Sequence, residues 1–343
     1  MRKNLHALLA ALLLGCGGGG GTDPDAVTDA VTDAATDTSS EPDVPGDTVT
    51  DAPGDATVDG PADCSIFPPD NMWNTPVDTA DVHTLSDTYI GSIGGDTELH
   101  PDFGAFWGEI PIGIPYNVVP GDQPLVPVSF YYADESDEGP YPVPPDALIE
   151  GGPDGDGDRH VLVIQSGTCI LYEMFDAWPQ TDGSWEAGSG AIWHLDLNEV
   201  RPGGWTSADA AGLAIFPGLI RWEEVYEDGV IDHAIRVTMS DLQRAYILPA
   251  THSDGTCGSD PDCPPMGLRL RLRDTFDETA FAEPLQVILR AMKRHGLVIA
   301  DTGSDMFIGG THDPRWDDDV LHDLHSVHAS DFEAVYTGDP IPY

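Results

Sequence analysis

Basic residues are scarce in this chain. Fourteen Lys and Arg stand against 60 Asp and Glu, a formal charge of −46 at pH 7 with histidine neutral. A field of that sign repels nucleic acid and anionic polymers, which excludes a nucleic-acid partner. It tolerates cations, and otherwise reads as a solvated acidic surface. Cysteine is rare as well, with five residues and no CxxC spacing to suggest zinc. No apolar run approaches the ~20 residues that a membrane-spanning helix needs. HExxH, P-loop and GxGxxG patterns are missing. Gly188-Ser189-Gly190 falls short of a nucleophile elbow, because Ala187 and Ala191 occupy the places of its two glycines.

What is present begins with a short export signature. Arg2 and Lys3 precede the apolar run Ala7 to Leu14, and Leu13-Leu14-Gly15-Cys16 follows. This resembles the signal peptide and lipobox of bacterial lipoproteins. The resemblance implies cleavage after residue 15, lipidation of Cys16 and anchoring in the membrane, since each buried methylene adds ~0.8 kcal/mol. Gly17 after the cysteine favours the outer membrane or cell surface over inner-membrane retention. Residues 16–63 then read as the lipidated cysteine and a tether. Residues 17–63 carry twelve acids, no base and no aromatic, in Thr-Asp and Pro-Gly-Asp units. Such a stretch cannot bury enough apolar surface to offset its ordering entropy. Fully extended it would reach roughly 150 Å.

Residues 64–343 hold all eight tryptophans and read as one globular domain. Strand-like runs dominate: Ile112 to Val119, Leu125 to Ala133, His160 to Ser166, Thr168 to Trp178, Gly190 to Leu195, Gly218 to Val225, Asp232 to Met239, Ala245 to Pro249 and Met266 to Leu272. Gln165-Ser166-Gly167-Thr168 and Tyr226-Glu227-Asp228-Gly229 look like hairpin turns. Helices are few. Pro284 opens one whose Leu285, Ile288, Leu289 and Met292 share a face, and Gly296 closes it. Leu297 to Ala300 follows as a buried strand. Val320 to Val327 marks a second helix and Ala208 to Leu213 a short third. The expected fold is mainly β, a sandwich-like or related β-rich core with a few C-terminal helices; an α+β arrangement is the alternative.

With Cys16 lipidated, four cysteines remain, an even number that suits an oxidising compartment. Cys257 and Cys263 bracket a short loop and should pair, leaving Cys64 for Cys169. The candidate catalytic groups cluster at strand ends: Glu135 beside Asp134, Glu150 before Gly151-Gly152, His160 after Asp158-Arg159, and His233 with Arg236. Glu173 lies inside the apolar strand Leu171-Tyr172-Glu173-Met174, where a charge is costly unless paired. It reads either as half of an ion pair with Arg159 or Arg236, or as an acid tuned by burial. Asp154-Gly155-Asp156-Gly157-Asp158 matches the front of a calcium loop, so Ca2+ is the one candidate cofactor. Position twelve is Gln165 where an EF-hand needs glutamate, and a flexible acidic turn is the competing reading. His322, His325 and His328 read as a solvated polar face.

Several motifs occur together: Asn74-Thr75-Pro76, His100-Pro101-Asp102-Phe103-Gly104, the run Arg201 to Leu213, Pro264-Pro265-Met266-Gly267 and Arg315-Trp316-Asp317-Asp318. They resemble an uncharacterised family of secreted bacterial proteins over nearly all of residues 64–343. The resemblance implies a single exported domain and carries no catalytic residue with it. Export, carboxylates and aromatics together lead to an expected hydrolase of an extracellular polysaccharide, working with a protonated and an ionised carboxyl. A lyase would use His233 as base and Arg236 as neutralising cation. A non-catalytic carbohydrate-binding or adhesion module would need an aromatic platform, with Trp107, Trp185 and Trp205 as candidates. Convergence of Glu135, Glu150, Glu173, His160 and His233 in one cleft favours the enzyme, and scatter favours the binding module.

Overall fold

A computed structural model describes residues 64–343. Cys16 and the acidic tether lie outside the described residues. The domain is a β-rich core with few helices, assembled from several sheets.

The largest sheet has six strands, in the order His100–Asp102, Phe307–Gly309, Ile235–Met239, Leu297–Thr302, Arg269–Leu272 and Phe332–Val335. The first two strands pair in parallel, as do the third and fourth; the remaining contacts are antiparallel. A parallel pair needs a crossover connection. Between Ile235–Met239 and Leu297–Thr302 the crossover contains the expected helix, Glu283–Arg294, which packs on Arg269–Leu272. Its buried face is Leu285, Ile288, Leu289 and Met292. Gly296, at φ 73°, lets the chain turn into the next strand with no room for a side chain: a Cβ there would lie 2.5 Å from the Leu270 carbonyl oxygen.

The second sheet runs Ser189–His194, Ile170–Phe175, Val161–Gln165, Tyr116–Val119. The hairpin at Ser166-Gly167 forms where expected, with Gly167 at φ 77°. Alternation along these strands serves two cores. Leu162, Ile164, Leu171 and Trp193 join the main core. Val161, Val163, Tyr172 and Met174 point the other way, into a smaller core. That core is roofed by a three-stranded sheet, Val128–Phe130, Trp185–Ala187 and Trp178–Pro179. Two disulfides form as expected: Cys64–Cys169 ties the start of the domain to the second sheet, and Cys257–Cys263 closes a local loop. They mark an extracytoplasmic domain. Among the described residues, no helix is long and apolar enough to cross a membrane.

Several local expectations are corrected. Gly218 to Val225 is not a strand, and Tyr226-Glu227-Asp228-Gly229 is not a hairpin turn. Phe216–Gly218 is a 3-10 turn, and the chain then coils through Glu224–Asp228, ending at Gly229 in the left-handed region. Its apolar residues are buried from all sides by tertiary packing, so their run carried no period. Ala208 to Leu213 is not a helix, because Ser207 takes the backbone out of helical pairing: its hydroxyl donates to the Leu213 carbonyl, with the Asp209 carbonyl at 3.1 Å as the alternative acceptor. The helix Ser86–Ile93 was unforeseen.

Candidate active site

The second half of the chain brings a guanidinium into the interior. Arg236 lies on the third strand of the large sheet, 6% exposed. Its Nε and Nη2 donate to the two carboxylate oxygens of Asp209 at 2.7 and 2.6 Å, and Nη2 also donates to Asp301 at 2.7 Å. Asp209 comes from the turn that Ser207 organises: its own N–H donates to the Ser207 hydroxyl at 2.9 Å. Asp301 comes from the end of Leu297–Thr302, after the strand has emerged from its buried apolar run. Asp102 approaches from the edge strand, where it pairs with Gly309. A Cβ at Gly309 would stand 3.0 Å from Leu219 Cδ2, so it is packing on Leu219 that crowds this position, while Arg236 Cδ lies at ordinary contact distance, 3.6 Å.

A second pair completes the centre from the other sheet. His160, just before Val161–Gln165, is 2% exposed. Its Nδ1 meets Glu150 at 2.6 Å and its Nε2 meets the Ala208 carbonyl at 3.2 Å. Both ring nitrogens face acceptors, so both carry protons and the ring is an imidazolium. Burial alone would lower its pKa; the Glu150 carboxylate outweighs that and pushes it up to about 9. A cation at neutral pH is no general base, so His160 positions Glu150 and keeps it charged.

The carboxyls around Arg236 have their pKa values pushed in opposite directions. Burial pushes Glu150 up, but the His160 charge and hydrogen bonds win and hold it below the ordinary carboxylate range. Asp301 goes the other way. Burial, then the facing Asp209 carboxylate, push it well above that range, against the pull of Arg236. Asp102 is raised by burial and then by Glu150. The Asp301 side chain is 19% exposed and that of Glu150 25% exposed, so both are partly buried and keep some contact with solvent. Asp301 accepts from Arg236 and from the Thr302 N–H at 2.8 Å, and its pKa moves up while that of Glu150 moves down; carboxyls shifted apart in this way are what general acid–base chemistry uses.

The other expected site residues lie elsewhere. Glu173 is 0% exposed, and no cation meets it. Its oxygens accept from the N–H groups of Ile215 (2.9 Å), Phe216 (2.8 Å) and the Trp193 indole (3.0 Å). Burial pushes it up to about 7 against those three donors. The ion-pair reading is thereby corrected: Arg159 is bonded to backbone carbonyls and Arg236 to Asp209 and Asp301. Glu135 accepts from the Thr206 N–H at 3.2 Å, near Arg201, which pairs with Asp137. His233 meets Glu224 and the Ala234 carbonyl, in a cleft of about 680 Å³ that Arg221, Glu223 and Asp232 also line. There Glu224, raised by burial, is brought below the ordinary range by Arg221 and then His233, so it supplies charge and no proton. His233 and Arg236, the expected lyase pair, are thus committed to different partners.

Trp107 is 78% exposed on the hairpin after Asp102, Trp205 lies near Arg201, and Trp185 is buried in the smaller core, where it offers no stacking face. The Asp154–Asp158 loop offered calcium or a plain acidic turn as its two readings. Among the described residues, no group of three or more His, Cys, Asp or Glu is gathered to hold a metal. The loop that carries Asp154, Asp156 and Asp158 is instead organised by Arg159, whose Nη1 takes the Gly155 carbonyl at 2.6 Å and that of Pro153 at 3.2 Å.

Of the five groups whose convergence was the criterion, Glu150 and His160 meet beside Arg236, whereas Glu135, Glu173 and His233 lie apart; the centre is completed instead by Asp102, Asp209 and Asp301, which were missed. Asp301 had a visible signal, a carboxylate directly after the apolar run Leu297 to Ala300. Asp209 had none, since its turn read as a capped helix. Comparison of the chain with models of protein families, with curated proteins and with solved structures finds no match in any of the three.

Proposed function

We propose that this chain is an exported lipoprotein, held at the outer membrane through Cys16, whose domain hydrolyses an extracellular polysaccharide at the Arg236 centre. The observation that carries the reading is a pair of partly exposed carboxyls, Asp301 and Glu150, gathered near one buried guanidinium with their pKa values shifted in opposite directions. Asp301 gives its proton to the departing glycosidic oxygen. Glu150, kept ionised by His160, acts on the opposite side as base or nucleophile. Arg236 and Asp209 position Asp301 and set its proton affinity. The export signature and the two disulfides support a substrate outside the cell.

The test is incubation of the full-length protein with a panel of polysaccharides, scoring new reducing ends and unsaturated products. Asp301→Asn keeps the shape and removes the proton, and is expected to lose about two orders of magnitude in rate, the usual scale of general acid catalysis. Unsaturated ends would replace hydrolysis with elimination. Retention of a polymer with no cleavage in any assay would leave the binding-module reading in its place.

A further inference from the structure

The outer face of the three-stranded sheet presents a second site, independent of the Arg236 centre. Directly opposed residues on neighbouring strands point to the same side. Ser129, Glu186 and Trp178 form one such row, and all three are exposed. Trp185 and Ala187 turn inward to the smaller core, and Phe130 packs against it. Tyr131 extends the edge strand by donating its N–H to the Ala187 carbonyl at 2.9 Å, and it is 82% exposed. With Asp176 these residues line a groove of about 330 Å³.

Trp178 is held rigidly in that groove. The Arg159 guanidinium carbon sits 3.6 Å from the indole centroid, and the indole N–H donates to Asp176 at 2.6 Å. Arg159 is itself 1% exposed and anchored on the carbonyls of Ala177 and Gly155. Its Nη2 has no hydrogen-bond partner, and the indole face stands in for one. One face of the ring is therefore covered, its edge is pinned, and the residue remains 43% exposed. Two large aromatics bordering a groove, one fixed before binding, offer stacking area at low entropic cost. Ser129 and the carboxylates of Glu186 and Asp176 stand beside them as partners for hydroxyl groups.

We propose that this groove binds a neutral glycan, with a sugar ring stacked on Trp178 and Tyr131 and its hydroxyls donating to Glu186 and Asp176. The two carboxylates and the acidic domain disfavour an anionic polymer. A cationic ligand is disfavoured because Arg159 already holds the closest cation position on the indole. The proposal shares with the preceding reading the expectation of a glycan, but it does not need the Arg236 centre to be catalytic.

Affinity electrophoresis of the full-length protein tests it, in gels cast with hydroxyethylcellulose, xylan, galactomannan, soluble starch or polygalacturonate. Retardation is expected in at least one neutral gel, with the affinity falling at least ten-fold in Trp178→Ala and in Tyr131→Ala. Tyr131→Ala and Glu186→Gln change exposed side chains, so they answer the question even if Trp178→Ala folds poorly. Four results overturn the proposal: no retardation in any neutral gel, retardation in polygalacturonate alone, wild-type affinity in Tyr131→Ala and Glu186→Gln, or release of the protein by choline. The groove variants are read by retention and Asp301→Asn by released reducing ends, so the two proposals fail separately.

Discussion

Glu150 and Glu173 are two carboxyls in the same half of the domain, and their surroundings give them opposite properties. Glu173 sits at 0% exposure between Leu162 and Ala191 on neighbouring strands, and its partners among the described residues are N–H groups. Glu150 has a full cation, the His160 imidazolium, 2.6 Å away and keeps a quarter of its side chain in solvent. Burial acts on both. Neutral donors only partly offset it at Glu173, whereas a charge reverses it at Glu150. Being buried and raised is therefore not what marks a working acid. Glu173 touches no solvent, and its three donors use it to pin the Ile215–Phe216 backbone, while Asp301 is raised and partly exposed.

The strongest way to break this contrast is to remove the cation at its centre. Arg236→Met should cost roughly 3–5 kcal/mol, because it strands the fully buried Asp209 carboxylate. Urea titration checks it, and a loss under 1 kcal/mol would show that the carboxyls do not depend on the guanidinium.

Glu150→Gln should cost about 3 kcal/mol near neutrality by stranding His160. The pH course sharpens the contrast. His160 is raised from 6.5 to about 9, so its share of the stability is complete below pH 6.5 and is lost as pH rises through about 9. Glu150 is lowered from 4.5, so its share is present above pH 4.5 and is lost as the pH falls below that. The melting-temperature gap between wild type and Glu150→Gln should therefore be wide at pH 6 and narrow above pH 9. A gap that stayed constant to pH 10 would mean that the ring is not the charged partner.

Glu173→Gln should be milder, about 1–3 kcal/mol, since the amide keeps one acceptor and turns its NH2 toward an N–H donor. Here the sign is opposite. Glu173 is raised from 4.5 to about 7, so it contributes stability at low pH that is lost as pH rises through about 7. The wild type's advantage over Glu173→Gln should shrink between pH 5 and pH 8, and the rate on any substrate should change little beside the loss in Asp301→Asn. A rate loss as large as that of Asp301→Asn would return the acid role to Glu173.

By itself the sequence determined what depends on neighbours along the chain. Apolar runs and Gly turns located most strands and the Gly167 hairpin; Pro284, a 3.6-residue period and Gly296 bounded the helix Glu283–Arg294. Cysteine count and spacing were enough for both disulfides. Only tertiary structure decided the rest. Asp209, Arg236 and Asp301 are far apart in the chain and meet because a turn and two strands of one sheet place them together. The Asp154–Asp158 pattern offered carbonyls and carboxylates to an ion, but the side chain of the next residue, Arg159, folds back and takes the carbonyls. Glu173 read as a charge needing a cation because sequence shows side chains; its actual partners include two backbone N–H groups, which every residue but proline possesses and which therefore leave no mark in the sequence.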